Sequence, residues 1–389
     1  MSPLQLAMET SNYRHPHAHV QRVLEQLEIC RTPANGYHLY ACSTPDCQFT
    51  RYQYHSCRNR HCPLCGAIKK DEWIEARRYE LLPVKYYHVV FTLPHELNSI
   101  IMGNQRALYN LLFDAASHTL LRFSADTQYL GATPAIISVL HTWGQQLSYH
   151  PHLHCIVSGG GIRQTTESCK WIQATKNEWR FLFPVKAMNI VYRARFLCGL
   201  RSLLRKKTIS PPPELDVETL IQQLFQKNWI VYAKAPFAGP MQVIEYLGRY
   251  THKVAISNHR ILQIDEASQT VTFAYKDYTD KGFEKQMTLA AREFMRRFAQ
   301  HILPRHFTKI RTYGFLANRC RHTRLQQIIL QLKLPPHPSP VRVPWQLRLL
   351  EKTHTHHNAC PHCGARSLIL KIVQTPQRAP PIKMNHQNI

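Results

Sequence analysis

Three groups of residues carry side chains whose chemistry depends on their spacing. In Ser148-Tyr-His-Pro-His-Leu-His-Cys-Ile-Val-Ser158, His152 and His154 flank one apolar residue. On a strand, alternate residues share a face, so Leu153 enters the core while both imidazoles point away from it, their roots roughly 6.6 Å apart. Two ring nitrogens can close that gap on one metal ion, each at about 2.1 Å. His150 shares the nominal face, but Pro151 disturbs pairing there and its root stands roughly 13 Å from that of His154. The second group, Glu245-Tyr246-Leu-Gly-Arg-Tyr250-Thr-His-Lys253, sets two phenols four residues apart on one helix face. Core packing is the ordinary reason for such a pair. Here Arg249, His252 and Lys253 crowd it with positive charge. Gly248, between the phenols, costs roughly 1 kcal/mol against alanine in a helix and so points to a close neighbour. A phenol with a pKa near 10 attacks a phosphate only with help. A divalent metal can stabilise the charge developing on the phosphate, and nearby cations favour the phenolate. Together the two groups supply both halves of a metal-assisted phosphodiester exchange.

The third group is cysteine. Cys62-Pro-Leu-Cys65 has the spacing that lets two thiolates take adjacent corners of a tetrahedron. Cys42 and Cys47 form the upstream pair expected to complete a structural zinc site, with Cys30, His55, Cys57 and His61 as further ligand candidates. Arg51, Arg58 and Arg60 surround these cysteines, with Tyr52 and Tyr54 interleaved, a mixture suited to phosphate contact and base stacking. A second knuckle, Cys360-Pro-His-Cys363, needs two ligands from elsewhere, and His354, His356 and His357 lie near it in sequence. Cys155, Cys169, Cys198 and Cys320 show no ligand spacing.

The elements that must position these groups read as an irregular mixture. Strands are expected at Tyr86–Leu93, Ala135–Thr142 and His152–Ser158, the last ending in a Gly159-Gly-Gly161 turn. A hairpin is expected over Val254–Ile264, followed by a strand at Thr270–Tyr275. Apolar periodicity predicts helices at Val20–Glu28, Ala67–Leu81, 99–124, Val185–Arg205 and Leu289–Ile302, and Gly239-Pro240 opens the tyrosine helix. Without a regular βαβ repeat, this pattern favours an α+β fold built on an antiparallel sheet. The chain divides into a zinc-binding, DNA-contacting region over 1–80, a catalytic domain over 81–330 and a basic Pro/His-rich tail over 331–389 that reads as a linker holding the second knuckle.

Lys and Arg total 49 against 24 acidic residues among 389, a formal net charge of +25. An excess of that size implies a polyanion as partner, because each neutralised phosphate releases condensed counterions. No apolar run is long enough to span a membrane, and the polar N-terminus lacks a signal-peptide core, so a cytoplasmic location is expected. In a reducing cytosol, twelve cysteines argue for metal rather than disulfides.

Six blocks in order resemble the rolling-circle transposases of the insertion sequence 91 type, two-tyrosine members of the HUH endonuclease superfamily. They are Cys57-Arg-Asn-Arg-His-Cys-Pro-Leu-Cys65, His88-Val-Val-Phe-Thr-Leu-Pro94, His150-Pro-His-Leu-His154 with its triple glycine, Val231–Pro240, Tyr246–Asn258 and Arg311–Cys320. The resemblance spans roughly residues 15–330. It implies an HUH-type antiparallel sheet with His152 and His154 on a central strand, binding Mg2+ or Mn2+, and the tyrosine helix beside it. Tyr246 and Tyr250 would be nucleophiles forming 5′-phosphotyrosine links to single-stranded element ends and target. The released 3′-hydroxyl would prime host replication. The resemblance also implies phosphate or phenolate stabilisation by Lys253, and offers Gln242 as third metal ligand, with Glu245 and His88 as rivals. Arg249 joins the basic residues expected on DNA. A bacterial, nucleoid-associated protein follows. The alternatives are a rolling-circle replication initiator, and a zinc-containing DNA-binding protein without catalysis.

Overall fold

The structure, a computed structural model, describes residues 1–165, 169–174, 182–237, 239, 242–243, 245–246, 248, 254–335 and 343–375. Helices α1 (Pro3–Ser11) and α2 (Ala18–Glu28) lead into a short hairpin, β1 (Tyr37–Cys42) and β2 (Thr50–Tyr54), and then α3 (Gly66–Arg78). The central part runs β3 (Tyr86–Thr92), α4 (Asn98–Gly103), α5 (Gln105–Ala125), β4 (Thr133–Trp143), β5 (Tyr149–Gln164), β6 (Cys169–Gln173), α6 (Val185–Arg205), α7 (Val217–Gln226) and β7 (Val231–Phe237). A meander of β8 (Ile261–Asp265), β9 (Thr270–Asp277) and β10 (Phe283–Ala290) leads into α8 (Ala291–Ala299). The chain then continues through β11 (Ile310–Gly314), α9 (Arg321–Gln331), α10 (Trp345–Thr353) and β12 (Leu368–Gln374).

The central sheet is antiparallel in the order β11-β4-β5-β3-β7, with β6 on the far end of β5. This is the α+β architecture that the irregular element order predicts. Alternation along β5 sends Leu153, Cys155 and Val157 into one core with Phe91 and Leu140, under the apolar faces of α5 and α6. Each such side chain contributes about 1.5–3 kcal/mol by leaving water. The opposite face buries Tyr86, Ile137 and Ile156 with Val243, Phe315, Leu325 and Ile328 at one end, and is polar at the other. A separate core joins α1 and α2 to the meander and α8 through Leu4, Leu24, Leu27, Phe273, Phe294 and Phe298.

Four expectations are corrected. Gly159-Gly-Gly161 is no turn but the middle of β5, which continues to Gln164. A Cβ on Gly160 would stand 2.3 Å from the Trp171 ring, and one on Gly161 2.6 Å from the Thr133 carbonyl, so the glycines admit neighbours pressed onto the strand. Residues 254–257 form no strand, and Ile261–Asp265 pairs with β9 instead. The helix expected over 99–124 is two, broken at Asn104, whose side chain bonds the Ser210 backbone. The tail is no mere linker: β12 returns to pair with β1, and Arg348 on α10 forms a 3.2 Å ion pair with Glu75 on α3.

Candidate active site

Register on the central sheet decides which polar residues meet. β5 lies between β3 and β4, with His152 opposite His141, and His154 opposite both Val139 and Val90. His88, two residues before Val90, falls on the same face, as does His141, two after Val139. One end of that face therefore carries four histidines. His88 and His141 are buried, each 3% exposed, while His152 and His154 are half-buried.

The donor nitrogens of His141, His152 and His154 lie within 4.8 Å of one another. His152 Nδ1 stands 2.6 Å from the His150 carbonyl oxygen, which can only accept, so the ring proton sits there. The lone pair is then left on Nε2, as a metal ligand requires. His152 Nε2 lies 3.2 Å from His154 Nε2. Two imidazole nitrogens turned toward the same space, with a third beside them, fit one divalent cation. His150 thus meets His152 through its backbone carbonyl. Sequence reasoning missed His141. Its only signal is one histidine at the end of an otherwise apolar strand, and nothing along the chain relates it to His152.

On the other side of His154, the Tyr246 hydroxyl lies 2.9 Å from Nδ1 and 2.7 Å from His88 Nε2. His88 Nε2 is itself 3.0 Å from His154 Nδ1. Burial, with help from Lys234 and His152, pushes His88 down to about 3, so it is a neutral ring at physiological pH. The Tyr246 ring packs against Phe237 at 5.2 Å between centroids. Its helical segment is held close to α3: a Cβ on Gly248 would meet Ile74 Cδ1 at 2.6 Å, which supplies the close neighbour that the glycine implied. Of the other residues expected on this helix, Gln242 is exposed, and Arg249, Tyr250 and Lys253 lie outside the described residues.

The cysteines regroup. Cys30, Cys57, Cys62 and Cys65 have sulfurs within 4.8 Å of one another, with Cys30 to Cys65 at 3.3 Å, Cys30 to Cys62 at 3.6 Å and Cys57 to Cys65 at 3.7 Å. A zinc tetrathiolate with 2.3 Å bonds has sulfur–sulfur edges of about 3.8 Å. The Cys57 amide points to Cys30 Sγ and the Asn59 amide to Cys57 Sγ, as expected around thiolates. The expected pairing of Cys42 and Cys47 with Cys62 and Cys65 is therefore corrected, since Cys42 and Cys47 lie against Cys363 and Cys360 instead. His55 belongs to neither cluster and stacks edge-on against His38, while His61 Nε2 accepts from the Leu303 amide.

The basic surface divides too. Arg60 is turned inward, donating to the Pro304 and Phe307 carbonyls, and so ties the zinc loop to the segment before β11 rather than facing a ligand. Arg58 is exposed, and Arg51 lies over the Tyr40 ring at 5.4 Å. Tyr52 and Tyr54 stack on β2, 52% and 37% exposed. Among the described residues no helix is long and apolar enough to cross a membrane.

Comparison with known proteins places the chain among transposases. Residues 135–324 match a family described as "Putative transposase", and residues 5–93 match one described as "Transposase zinc-binding domain". The second match covers Cys30, Cys57, Cys62 and Cys65 and supports structural zinc there. The chain is 40% identical over 360 residues, 90% of this chain and 88% of its relative, to the "Putative transposase y4qJ" of Sinorhizobium fredii. It is 30% identical over 333 residues, 82% of this chain and 76% of that one, to the "Transposase for insertion sequence element IS801" of Pseudomonas savastanoi pv. phaseolicola. With a histidine-lined sheet face, a tyrosine against it and a cysteine-bound N-terminal region all in place, the chain belongs to the insertion sequence 91 family of transposases.

Proposed function

We propose that the chain nicks and rejoins single-stranded DNA through a 5′-phosphotyrosine link, with Tyr246 as a nucleophile. The observation that carries this reading is the placement of the Tyr246 hydroxyl on His88 and His154, one imidazole away from three convergent donor nitrogens. His141, His152 and His154 would hold Mg2+ or Mn2+, which when bound neutralises charge on the scissile phosphate.

In the step proposed, Tyr246 Oη forms a bond to phosphorus as the bond from phosphorus to the 3′ oxygen breaks. The phenol gives up its proton and the leaving oxygen gains one, so no net proton is consumed. His88, kept neutral by burial, aims the phenol by hydrogen bonding to its oxygen. Rejoining is the reverse, with a 3′-hydroxyl attacking the phosphotyrosine. Before that, the free 3′ end can prime replication by the host, which is the rolling-circle reading. Tyr250 serves as second nucleophile and Lys253 as phosphate contact on the strength of their sequence positions. Arg51, Arg58 and the stacked Tyr52 and Tyr54 offer cations and aromatic faces to a single strand.

Incubation with Mn2+ and single-stranded DNA carrying an element end, followed by denaturing electrophoresis, tests the mechanism. A protein–DNA adduct is expected. Its absence with the wild-type chain, or its persistence undiminished in the Tyr246→Phe, Tyr250→Phe double variant, would overturn the reading.

A further inference from the structure

The four remaining clustered cysteines come from opposite ends of the chain. Cys42 closes β1, Cys47 lies in the loop before β2, and Cys360 and Cys363 lie in the loop before β12. Pairing of β12 with β1, Leu368 opposite Cys42, brings these loops together. Cys42 Sγ lies 3.7 Å from Cys363 Sγ, Cys47 Sγ 3.8 Å from Cys360 Sγ, and all four sulfurs fall within 4.8 Å of one another. These separations match the edge of about 3.8 Å in a zinc tetrathiolate.

The loops are shaped as ligand turns. The Gly364 amide returns to the Cys360 carbonyl at 2.8 Å, with Gly364 at φ +71, the left-handed conformation that lets the chain fold back under Cys363. Asp46, immediately before Cys47, is also left-handed at φ +62.

Among the described residues the small sheet buries little apolar surface of its own. Along β12 only Leu368 is buried, and Ile369, Leu370, Ile372 and Val373 are 42–53% exposed. On β2 every residue but Arg51 is exposed, and none on β1 is fully buried. A three-stranded sheet without an apolar core is marginal in water unless something staples it.

We infer that Cys42, Cys47, Cys360 and Cys363 bind a second zinc ion that clasps the C-terminal segment onto the N-terminal hairpin. The four ligands enter as thiolates, their protons passing to solvent. Half of this site comes from residues beyond both family matches, which end at 93 and 324. The segment after α9 is therefore an integral part of the zinc-bound unit. It also braces the hairpin that displays Tyr52 and Tyr54.

Zinc content of the full-length chain, measured by native mass spectrometry under reducing conditions, tests the site. The wild type should carry two ions per chain, one for each cysteine cluster, and the Cys360→Ser, Cys363→Ser variant one. Trypsin should release fragments from residues 343–375 faster in that variant than in the wild type. Cobalt titration of the wild type provides a measurement independent of any variant, with two equivalents expected to show tetrathiolate absorption. One ion in the wild type, or two in the variant, overturns the inference. So would peptide mapping of the non-reduced protein that finds Cys42–Cys363 and Cys47–Cys360 disulfides.

Discussion

The hydroxyl of Tyr246 lies 2.9 Å from Nδ1 of His154, whose opposite nitrogen, Nε2, faces His152 at 3.2 Å. One imidazole thus separates the proposed nucleophile from the proposed metal position. Removing the hydroxyl should be felt in chemistry and little elsewhere. Tyr246→Phe keeps the ring against Phe237 and His88, and adduct formation should fall at least about a thousandfold, with stability changed by less than about 1 kcal/mol. Denaturing gels and thermal melts give the two readings. Adduct formation near the wild-type rate would pass the role to Tyr250.

His141 and Gln242 compete for the place of third metal ligand. The donor nitrogen of His141 lies with those of His152 and His154, while the Gln242 side chain is exposed. His141→Ala should raise the Mn2+ concentration for half-maximal nicking by at least about tenfold. Gln242→Ala should raise it less. A Mn2+ titration of both variants decides, and the reverse order would restore glutamine as the ligand.

In the proposed mechanism His88 positions the phenol, its Nε2 lying 2.7 Å from the Tyr246 hydroxyl. His88→Phe removes the bond to Tyr246 and should slow nicking at saturating metal by about 10- to 100-fold, leaving the Mn2+ midpoint unchanged. A shifted midpoint with unchanged maximal rate would make His88 part of the metal site instead.

Gly314 ends β11 at φ +67, where a Cβ would fall 1.7 Å from the Pro134 carbonyl oxygen. Gly314→Ala should cost about 2 kcal/mol or more through backbone strain and displacement of β11 from β4. Urea unfolding at neutral pH measures it, and a change below about 0.5 kcal/mol would show that the edge strand yields freely.

His301 links the fold to pH. Its ring is buried between the Thr142 hydroxyl and the Leu147 carbonyl, and burial pushes it down to about 4 from its ordinary 6.5. Between those values the unfolded chain holds the extra proton, so stability is full above about pH 6.5 and falls as pH drops through about 4. The shift corresponds to about 3 kcal/mol. His301→Gln should therefore be less stable than wild type at pH 7, with the deficit shrinking toward pH 4. Parallel melts across that range test it, and a constant deficit would place the acid sensitivity elsewhere.

The sheet-borne histidine pair was legible because period-two alternation needs no knowledge of neighbours, and β5 does bury Leu153 while turning His152 and His154 the other way. The same reasoning misread Gly159-Gly-Gly161. Glycine signals a turn only when nothing crowds the backbone, and here Trp171 and Thr133 do. Arg60 was read as a surface cation because its carbonyl partners, Pro304 and Phe307, are more than 240 residues away in sequence.

What the sequence by itself determined was local. It gave the residue types able to ligate a metal, a pair of phenols as candidate nucleophiles, the excess of positive charge and the α+β mixture of elements. The tertiary structure decided their company: His141 with His152, His88 with Tyr246, Cys30 and Cys57 with Cys62 and Cys65, and Cys42 and Cys47 with a knuckle more than 300 residues on. Spacing within one element controls which face a side chain takes, and so it can be read along the chain. Cross-strand register and the closure of long loops depend on how whole layers pack, and no pattern within a segment records them.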